Sequence, residues 1–238
     1  MFNMFLNILY SVIFFSFIFN NNLLAKNLTV EDLEDFILNN PEIIIKSLND
    51  FEKKKEIELL SRQKEYLKNN TTLIQSPDYN LFDGKPNAEK IIVEFFDYNC
   101  GYCKRAHKEI MDLLDQKRDI KVIYKNLPIL SKQSTYLAKL SLALGKKNNS
   151  LFLEFHDYIF NLKKIDQKGI ESFFKRKKIS FEKIQVLSQS EDINLKLEQN
   201  LEIANKIGIS GTPAYVIENE LISGFVGKGM LKSLLKKK

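Results

Sequence analysis

The sequence predicts an α/β fold in which a small sheet is interrupted by a long helical segment and preceded by helices. A run rich in β-branched and aromatic residues, 90–96, is followed by a segment of helical character and a second such run, 120–124. Together they indicate a βαβ unit. Residues from about 131 to 207 then carry apolar side chains at helical spacing. Two short strands, 214–217 and 221–223, follow as a predicted hairpin.

The composition excludes several classes of protein. The chain has 238 residues, of which 44% are hydrophobic and 28% charged. Such a chain can fill the core of one domain with additions, and it is neither disordered nor of low complexity. The net charge is +6, but lysines alternate with acidic residues and no arginine-rich stripe interleaved with aromatic residues stands out. We therefore expect no nucleic-acid partner.

The N-terminus predicts export from the cytoplasm. Residues 1–25 carry no charged side chain, and residues 4–19 are almost wholly apolar. A helix of about 16 residues would span roughly 24 Å, less than the roughly 30 Å of a bilayer core. We predict a signal peptide over 1–25, cleaved after Ala25, with an uncleaved membrane anchor as the alternative. Either one delivers the rest of the chain to the periplasm or another extracytoplasmic envelope compartment.

Residues 26–87 are predicted to form a helical N-terminal extension and a linker. Thr29 is followed by acidic residues, as at a helix N-cap, and a second helix can begin at Pro41. The charged segment 53–66 lacks sustained heptads, so a surface helix and an oligomerisation stalk both fit it. Residues 69–87 contain prolines and an Asp-Gly pair and are interpreted as a linker or loop.

Both cysteines lie in one Cys-x-x-Cys motif, Cys100 to Cys103, after a predicted strand and at the first turn of a predicted helix. The first N–H groups of a helix lack intrahelical partners and its N-terminal end is electropositive, so a thiolate at Cys100 is stabilised. The thiolate is the nucleophile in disulfide exchange. The spacing lets Cys103 reach back, close a Cys100–Cys103 disulfide and expel a mixed-disulfide partner. The motif predicts a redox-active pair.

Glu94 and the pair Thr212–Pro213 are the other candidate site residues. Glu94 lies in mid-strand, where an acid is costly unless it is protonated or partnered. A buried Glu94 with a raised pKa would exchange protons with Cys103, whereas an exposed strand edge would give it no such role. Thr212–Pro213 suits a cis peptide bond that offers the Thr212 backbone to an extended substrate. The alternative is an ordinary proline at the start of a strand.

Two runs of sequence carry a family resemblance. Residues 93–105, VEFFDYNCGYCKR, and residues 211–215, GTPAY, resemble the bacterial thiol:disulfide oxidoreductases of the DsbA-like, thioredoxin-fold family. The resemblance covers about residues 88–236, within a domain that we place at 88–238. It implies a thioredoxin-like fold with a helical insertion at about 131–207. The N-terminal helices are similar to an extension that some members of the family carry.

The resemblance also implies roles for the site residues. Cys100 would be the attacking cysteine, Cys103 the resolving one, and Pro213 a cis-proline. Thr212, Pro213 and Tyr102 are predicted to bind the substrate. The implied partners are unfolded or reduced secreted proteins and a membrane redox protein. No organic cofactor is expected, because the redox equivalents come from a partner protein.

The residues between the cysteines depart from the pattern of the strong oxidases. Those usually carry Pro-His, whereas Gly101 and Tyr102 are the pair typical of DsbC-like isomerases. Without a histidine, one source of thiolate stabilisation is missing, so we expect a milder oxidant of intermediate potential. Such a potential fits both oxidation and isomerisation. An isomerase normally needs an oligomer with a sheltered cleft, and residues 29–66 could supply a homo-oligomer interface.

Three other interpretations of the motif are open. Cys100, Cys103 and His107 could bind zinc together with His156, but a second ligand pair at typical spacing is missing, and we expect no metal. An inert structural disulfide is a second interpretation, although so short a loop constrains the unfolded chain little. The third is a non-catalytic chaperone that binds unfolded chains. It predicts an ordinary pKa near 8.5 at Cys100.

Overall fold

The computed structural model describes residues 28–116 and 119–236, so the predicted signal peptide, residues 1–25, lies outside the described residues. The chain divides into two compact units, one that ends at Glu56 and one that begins at Ile57. None of the helices in these described ranges combines the length and the apolar character that crossing a membrane requires.

The described residues form ten α-helices and five strands, which confirms the predicted α/β class. In chain order the elements are α1 (Val30–Asn39), α2 (Pro41–Asn69), α3 (Thr71–Ile74), β1 (Phe82–Gly84), β2 (Lys90–Phe96), α4 (Gly101–Gln116), β3 (Ile120–Asn126), α5 (Lys132–Lys147), α6 (Asn149–Asn161), α7 (Gln167–Lys177), α8 (Phe181–Ser188), α9 (Glu191–Lys206), β4 (Ala214–Ile217), β5 (Glu220–Ser223) and α10 (Lys228–Leu234). The five helices α5 to α9 lie between β3 and β4 and form the helical insertion.

The first unit contains α1 and the beginning of α2. A capping box starts α1: the Thr29 hydroxyl accepts a hydrogen bond from the Asp32 N–H (3.1 Å), and the Asp32 carboxylate accepts one from the Thr29 N–H (3.1 Å). Pro41 occupies the first position of α2. No residue of α1 is buried, and the one buried residue of α2, Leu67, belongs to the second unit. The described part of the first unit therefore has no core of its own.

The second unit is built on a five-stranded sheet of order β1-β3-β2-β4-β5. β2 and β3 are parallel, and the other neighbouring pairs are antiparallel. The apolar run that predicts β2 forms the central strand. Because side chains alternate along a strand, Ile92, Glu94 and Phe96 lie on one face, while Val93 and Phe95 lie on the other.

The sheet separates two apolar clusters. The cluster on the face of Ile92 and Phe96 includes residues of α4 to α10 and contains Cys103. The cluster on the face of Val93 and Phe95 is closed by the ends of α2, α3 and α9. The elements that carry the cysteine motif are thus packed into the larger cluster.

Part of the segment 69–87, interpreted from sequence as a linker, belongs to the sheet. It contains the short helix α3 and the edge strand β1, in which Phe82 pairs with Ile123 and Gly84 with Lys121. The Asp-Gly pair indicates a turn by local preference. The free edge of β3 nevertheless supplies hydrogen-bond partners that only the folded chain provides, and these make the segment a strand.

Candidate active site

Cys100 lies between β2 and α4, in a turn that the Asp97 carboxylate holds. This carboxylate accepts hydrogen bonds from the backbone N–H groups of Asn99 (2.8 Å) and Leu130 (3.0 Å). The Cys100 N–H donates to the Asp97 carbonyl oxygen (3.1 Å). Asn99 Nδ2 donates to the hydroxyl of Ser131 (2.9 Å), the N-cap residue of α5. The turn is therefore tied to the start of the helical insertion, and it presents Cys100 at the N-terminus of α4.

Cys100 is set up to carry a negative charge. Its sulfur accepts a hydrogen bond from the Cys103 N–H (3.4 Å). The residue as a whole is 7% exposed. The pKa of Cys100 is lowered to about 5, chiefly because the Cys103 thiol donates a hydrogen bond to its sulfur and also because backbone N–H groups do so. These effects outweigh burial, which acts in the opposite direction. The thiolate is therefore the predominant form of Cys100 at pH 7.

Cys103 is set up to remain protonated. It is fully buried, and both cysteines are free thiols in this structure. Burial raises the pKa of Cys103 far above its ordinary value, and the hydrogen bond to Cys100 and the charge of Glu94 raise it further. The two sulfurs of one motif thus differ in chemistry: one is a ready nucleophile, and the other must lose a proton before it can react.

Glu94 is buried, so the exposed-edge alternative is wrong. It is 2% exposed and lies on β2, the middle strand of the five. Burial, followed by the charge of Cys100, raises the pKa of Glu94 to about 8. The charge of Glu94 in turn raises the pKa of Cys103. This mutual influence places the carboxyl within electrostatic range of both sulfurs.

The peptide bond between Thr212 and Pro213 is cis. The alternative of an ordinary proline at the start of a strand is therefore wrong. The carbonyl oxygen of Thr212 lies 3.1 Å from Cys100 Sγ, and the Cys100 thiol donates to it when protonated. The carbonyl of Pro213 accepts a hydrogen bond from the Gly224 N–H (3.0 Å). The structure therefore brings together Cys100, Cys103, Glu94, Thr212 and Pro213.

Tyr102 contributes an exposed aromatic surface next to the cysteines. Its residue exposure is 55%, and the Arg105 guanidinium carbon lies 4.7 Å from the ring centroid. The ring of Phe225, from the loop after β5, lies 6.3 Å away. Phe225 is not identifiable from the sequence, because only the folded chain brings its loop to the motif.

A cavity of about 180 Å³ opens beside Cys100. Its apolar lining includes Ile159, Phe160 and Leu162, which come from α6 and the residue after it. Lys104 Nζ donates a hydrogen bond to the Leu162 carbonyl oxygen (2.5 Å) and links α4 to this lining. The helical insertion thus supplies one wall of the surface around the reactive sulfur.

The two histidines of the zinc interpretation have other partners. His107 Nε2 is 3.0 Å from an Asp157 carboxylate oxygen, and His156 Nδ1 is 3.1 Å from the Tyr98 hydroxyl. Burial lowers the pKa of both histidines. Within residues 28–116 and 119–236, no group of three or more His, Cys, Asp or Glu side chains is arranged to hold a metal ion.

These features define a class of protein: an oxidoreductase of the thioredoxin fold, with a thiol of lowered pKa at a helix start, a second, buried thiol three residues later, a buried acid and a cis-proline. The family described as DSBA-like thioredoxin domain matches residues 91–236. The chain belongs to this family and is a thiol–disulfide oxidoreductase. The predicted resemblance and thioredoxin-like fold are confirmed.

Individual relatives agree with this assignment. The chain is similar to Disulfide bond formation protein D of Bacillus subtilis (strain 168), with 25% identity over 166 residues, or 65% of this chain and 74% of the relative. It is also similar to the catalytic domain of Proteus mirabilis ScsC, with 28% identity and a TM-score of 0.65, over 73% of this chain and 96% of that one. A linker-deletion mutant of ScsC gives 25% identity and a TM-score of 0.69, over 89% of this chain and 97% of that one.

Proposed function

We propose that the protein forms or exchanges disulfides in secreted and envelope proteins, in the periplasm or another extracytoplasmic compartment. The observation that carries this proposal is the contrast between the two thiols: the pKa of Cys100 is lowered to about 5, whereas Cys103 is fully buried and its pKa is raised far above the ordinary value. The signal peptide predicted over residues 1–25 supports the compartment. The name of the Bacillus relative supports action on disulfides.

The reaction proceeds in two exchange steps. The Cys100 thiolate attacks a substrate disulfide, forms an S–S bond to one substrate sulfur and releases the other as thiolate. Cys103 then passes its proton to the Glu94 carboxylate and attacks Cys100 Sγ. This closes the Cys100–Cys103 disulfide and expels the second substrate thiolate. Two electrons pass to the substrate, and the reverse sequence oxidises a substrate dithiol.

The charge of Cys100 determines when Glu94 can accept the proton of Cys103. While Cys100 is a thiolate, its charge helps to raise the pKa of Glu94 and keeps that acid largely neutral at pH 7. Formation of the mixed disulfide removes the charge, so the pKa of Glu94 falls and its ionised fraction rises. Glu94 therefore becomes a base at the stage when Cys103 must lose a proton.

The substrate is bound as an extended peptide beside the cis peptide bond. The Thr212 backbone, next to Cys100 Sγ, pairs with the peptide in the manner of an added strand, with Pro213 shaping the turn. Tyr102 supplies an apolar surface to side chains that flank the substrate cysteine, and Phe225 extends it.

The pKa of Cys100 supports an intermediate reduction potential. A value of about 5 lies between the roughly 3.5 and 7 of strongly oxidising and strongly reducing motifs. Their potentials differ by roughly 150 mV. A protein whose potential lies between these limits can donate its disulfide to reduced secreted proteins. It can also reduce an incorrect disulfide in such a protein. A membrane redox partner returns it to the oxidised state.

Disulfide isomerisation by an oligomer is the second candidate, favoured by the first unit. Its helices bury no side chain and expose apolar residues such as Phe36 (51%), Leu48 (57%) and Phe51 (64%). A second copy of the chain would cover this surface. Leu48→Asp with Phe51→Asp should lower the mass measured by sedimentation, whereas Val186→Asp, at an exposed apolar residue of α8, should not.

Equilibration with glutathione, combined with refolding of a scrambled multi-disulfide substrate, tests the proposal. We expect an intermediate potential, no activity in Cys100→Ser, and accumulated mixed disulfides in Cys103→Ser, because that variant can attack but cannot resolve. Rapid oxidation without unscrambling would reject isomerisation. Retention of full activity by Cys100→Ser would reject the redox function.

Alkylation of the reduced protein across pH separates catalysis from simple peptide binding. Cys100 should react with a midpoint near pH 5, because the hydrogen bonds from Cys103 stabilise its thiolate. A midpoint near the ordinary value of about 8.5 would instead support a chaperone that only binds unfolded chains.

A further inference from the structure

Two tyrosines flank Glu94 within the sheet. The strand register aligns Glu94 of β2 with Tyr124 of β3 and Tyr215 of β4. Aligned residues of neighbouring strands extend to the same face, with Cβ atoms roughly 5 Å apart. Both tyrosines are fully buried, in the apolar cluster that contains Cys103. The side chain of Glu94 therefore lies between those of Tyr124 and Tyr215 on this face of the sheet.

The hydroxyls of both tyrosines are unusual for a protein core. Neither Tyr124 Oη nor Tyr215 Oη has a hydrogen-bond partner among the described residues. An unpaired buried hydroxyl destabilises a fold, and phenylalanine would fill nearly the same space without that cost. Tyr98, in the same cluster, bonds to His156 instead. The unpaired hydroxyls of Tyr124 and Tyr215 lie on either side of Glu94. This arrangement points to hydrogen bonds that form when Glu94 is ionised.

We infer that Tyr124 and Tyr215 are positioning residues for Glu94, whose hydroxyls donate hydrogen bonds to its carboxylate, directly or through one buried water, when it is ionised. The inference rests on the proposed function, in which Glu94 accepts the proton of Cys103. A phenol hydroxyl stabilises a carboxylate more than it stabilises the neutral acid. The two donors thus keep part of Glu94 ionised in a core that otherwise favours the neutral form.

The other titratable groups around Glu94 leave the two tyrosines as donors near neutral pH. Burial is the main cause that raises the pKa of each surrounding phenol, and the charge of Glu94 adds to it. Asp83 of β1 also raises the pKa of Tyr124, and Glu109 of α4 that of Tyr215, so the phenols stay protonated. Burial holds the pKa of the nearest histidine well below its ordinary value, so it is neutral. The groups concerned are Cys100 and Cys103 at the start of α4, Tyr98 in the turn, Tyr124 on β3, Tyr215 on β4 and His156 on α6, whose ring centroid lies 4.4 Å from that of Tyr124.

The aromatic disulfide dithiobis(nitrobenzoate), mixed in equal amount with the reduced protein, separates the two chemical steps. The Cys100 thiolate attacks the reagent, forms a mixed disulfide and releases one coloured thionitrobenzoate. Cys103, after its proton has passed to Glu94, attacks Cys100 Sγ and releases the second. The first phase reports on Cys100 alone, and the second reports on the proton transfer.

We expect Tyr124→Phe and Tyr215→Phe each to slow the second phase about tenfold at pH 7, because one hydrogen bond to a charged group is lost. The pH midpoint of that phase should move upward, since Glu94 then ionises at higher pH. The first phase should not change. Tyr158→Phe is the matched control, because its hydroxyl donates to the Gly169 carbonyl oxygen (2.8 Å), and it should alter neither phase.

Glu94→Gln distinguishes failure of this inference from failure of the proposed function. It should slow the second phase more than either tyrosine variant, and Tyr124→Phe should add nothing in that background. If Glu94→Gln slows the phase but both tyrosine variants match the wild type, the inference is overturned and the role of Glu94 stands. An unchanged second phase in Glu94→Gln would overturn the role of Glu94 itself. Equal slowing by Tyr124→Phe with and without Glu94 would show that the tyrosine does not act through the acid.

Discussion

Both faces of the sheet bury ionisable side chains, but in the described part of the chain those of β2 and β3 have hydrogen-bonded partners of opposite charge on one face only. Lys125 alternates with Tyr124 along β3 and so lies on the face opposite Glu94. It forms an ion pair with Asp78 (2.7 Å), and the two side chains are 3% and 1% exposed. Lys125 Nζ also donates to the Ser76 carbonyl oxygen (2.7 Å), and Asn200 Nδ2 donates to the second Asp78 oxygen (2.7 Å). Both charged groups of this buried pair are therefore partnered.

The face of Glu94 has the opposite character. Among the described residues, no cation pairs with this carboxyl, and the hydroxyls of Tyr124 and Tyr215 are unpaired. A buried ion pair whose charged groups are all hydrogen-bonded stabilises the folded structure. It does not exchange a proton during the reaction. An acid without a cation keeps a pKa near neutrality and can change charge during a reaction. The comparison thus separates buried polar groups that hold the fold from those that serve the chemistry.

The largest expected effect on stability concerns the ion pair of Asp78 and Lys125. Asp78→Ala leaves the Lys125 ammonium buried without its counter-ion and should lower the free energy of unfolding by about 3–5 kcal/mol, measured by urea denaturation. Asp78→Leu combined with Lys125→Met should recover most of this loss, because apolar side chains of similar volume replace the pair. A loss below about 1 kcal/mol in Asp78→Ala would contradict the structural role of the pair.

Glu94 should make the stability depend on pH. Its folded pKa is raised, so the unfolded chain loses this proton near pH 4.5 and the folded protein loses it only near pH 8. Stability therefore falls as the pH rises through this window. In the oxidised protein Cys100 carries no charge, so burial alone raises the pKa of Glu94 and the window ends below pH 8. Glu94→Gln should still gain about 1–2 kcal/mol over the wild type as the pH rises from 5 towards neutrality. Parallel stability curves for the two proteins would show that Glu94 titrates normally.

The smallest effects concern the unpaired hydroxyls. Tyr124→Phe should leave the free energy of unfolding unchanged or raise it by up to about 1 kcal/mol, because it removes a donor that has no partner. Tyr158→Phe should lower it by about 1 kcal/mol, because its bond to the Gly169 carbonyl oxygen is lost. Thermal denaturation of the reduced proteins measures both. A clear loss of stability in Tyr124→Phe would mean that its hydroxyl is bonded in the resting protein.

Local sequence is enough to predict candidates for the reacting groups. Cys100 and Cys103 are the ends of one four-residue motif at a helix start, and Glu94 is a single acid in an apolar run just before them. Thr212 and Pro213 are farther along the chain, and the sequence left an ordinary strand-starting proline open until the structure showed the cis peptide bond. In each case the chemistry depends on residue type and on the adjacent element, and both can be read without the register.

The environment of Glu94 could not be predicted in this way. Its alignment with Tyr124 and Tyr215 depends on the pairing of three strands, and a shift of one residue would send those rings to the other face. The ion pair of Asp78 and Lys125 likewise joins positions that only the folded chain brings together. Sequence periodicity indicates which residues share a face of one strand, but not which residues meet across two.

The two hydrogen bonds that the Asp97 carboxylate accepts have a consequence for protein engineering. Through Leu130 and through Asn99, which bonds to Ser131, they tie the beginning of the helical insertion to the cysteine turn. A chimaera that exchanges this insertion with that of a relative should therefore place its upstream junction after Ser131, so that Leu130 and Ser131 stay with Asp97 and Asn99 of the same protein. A junction placed before Leu130 would give the recipient cysteine turn foreign residues at both bonding positions.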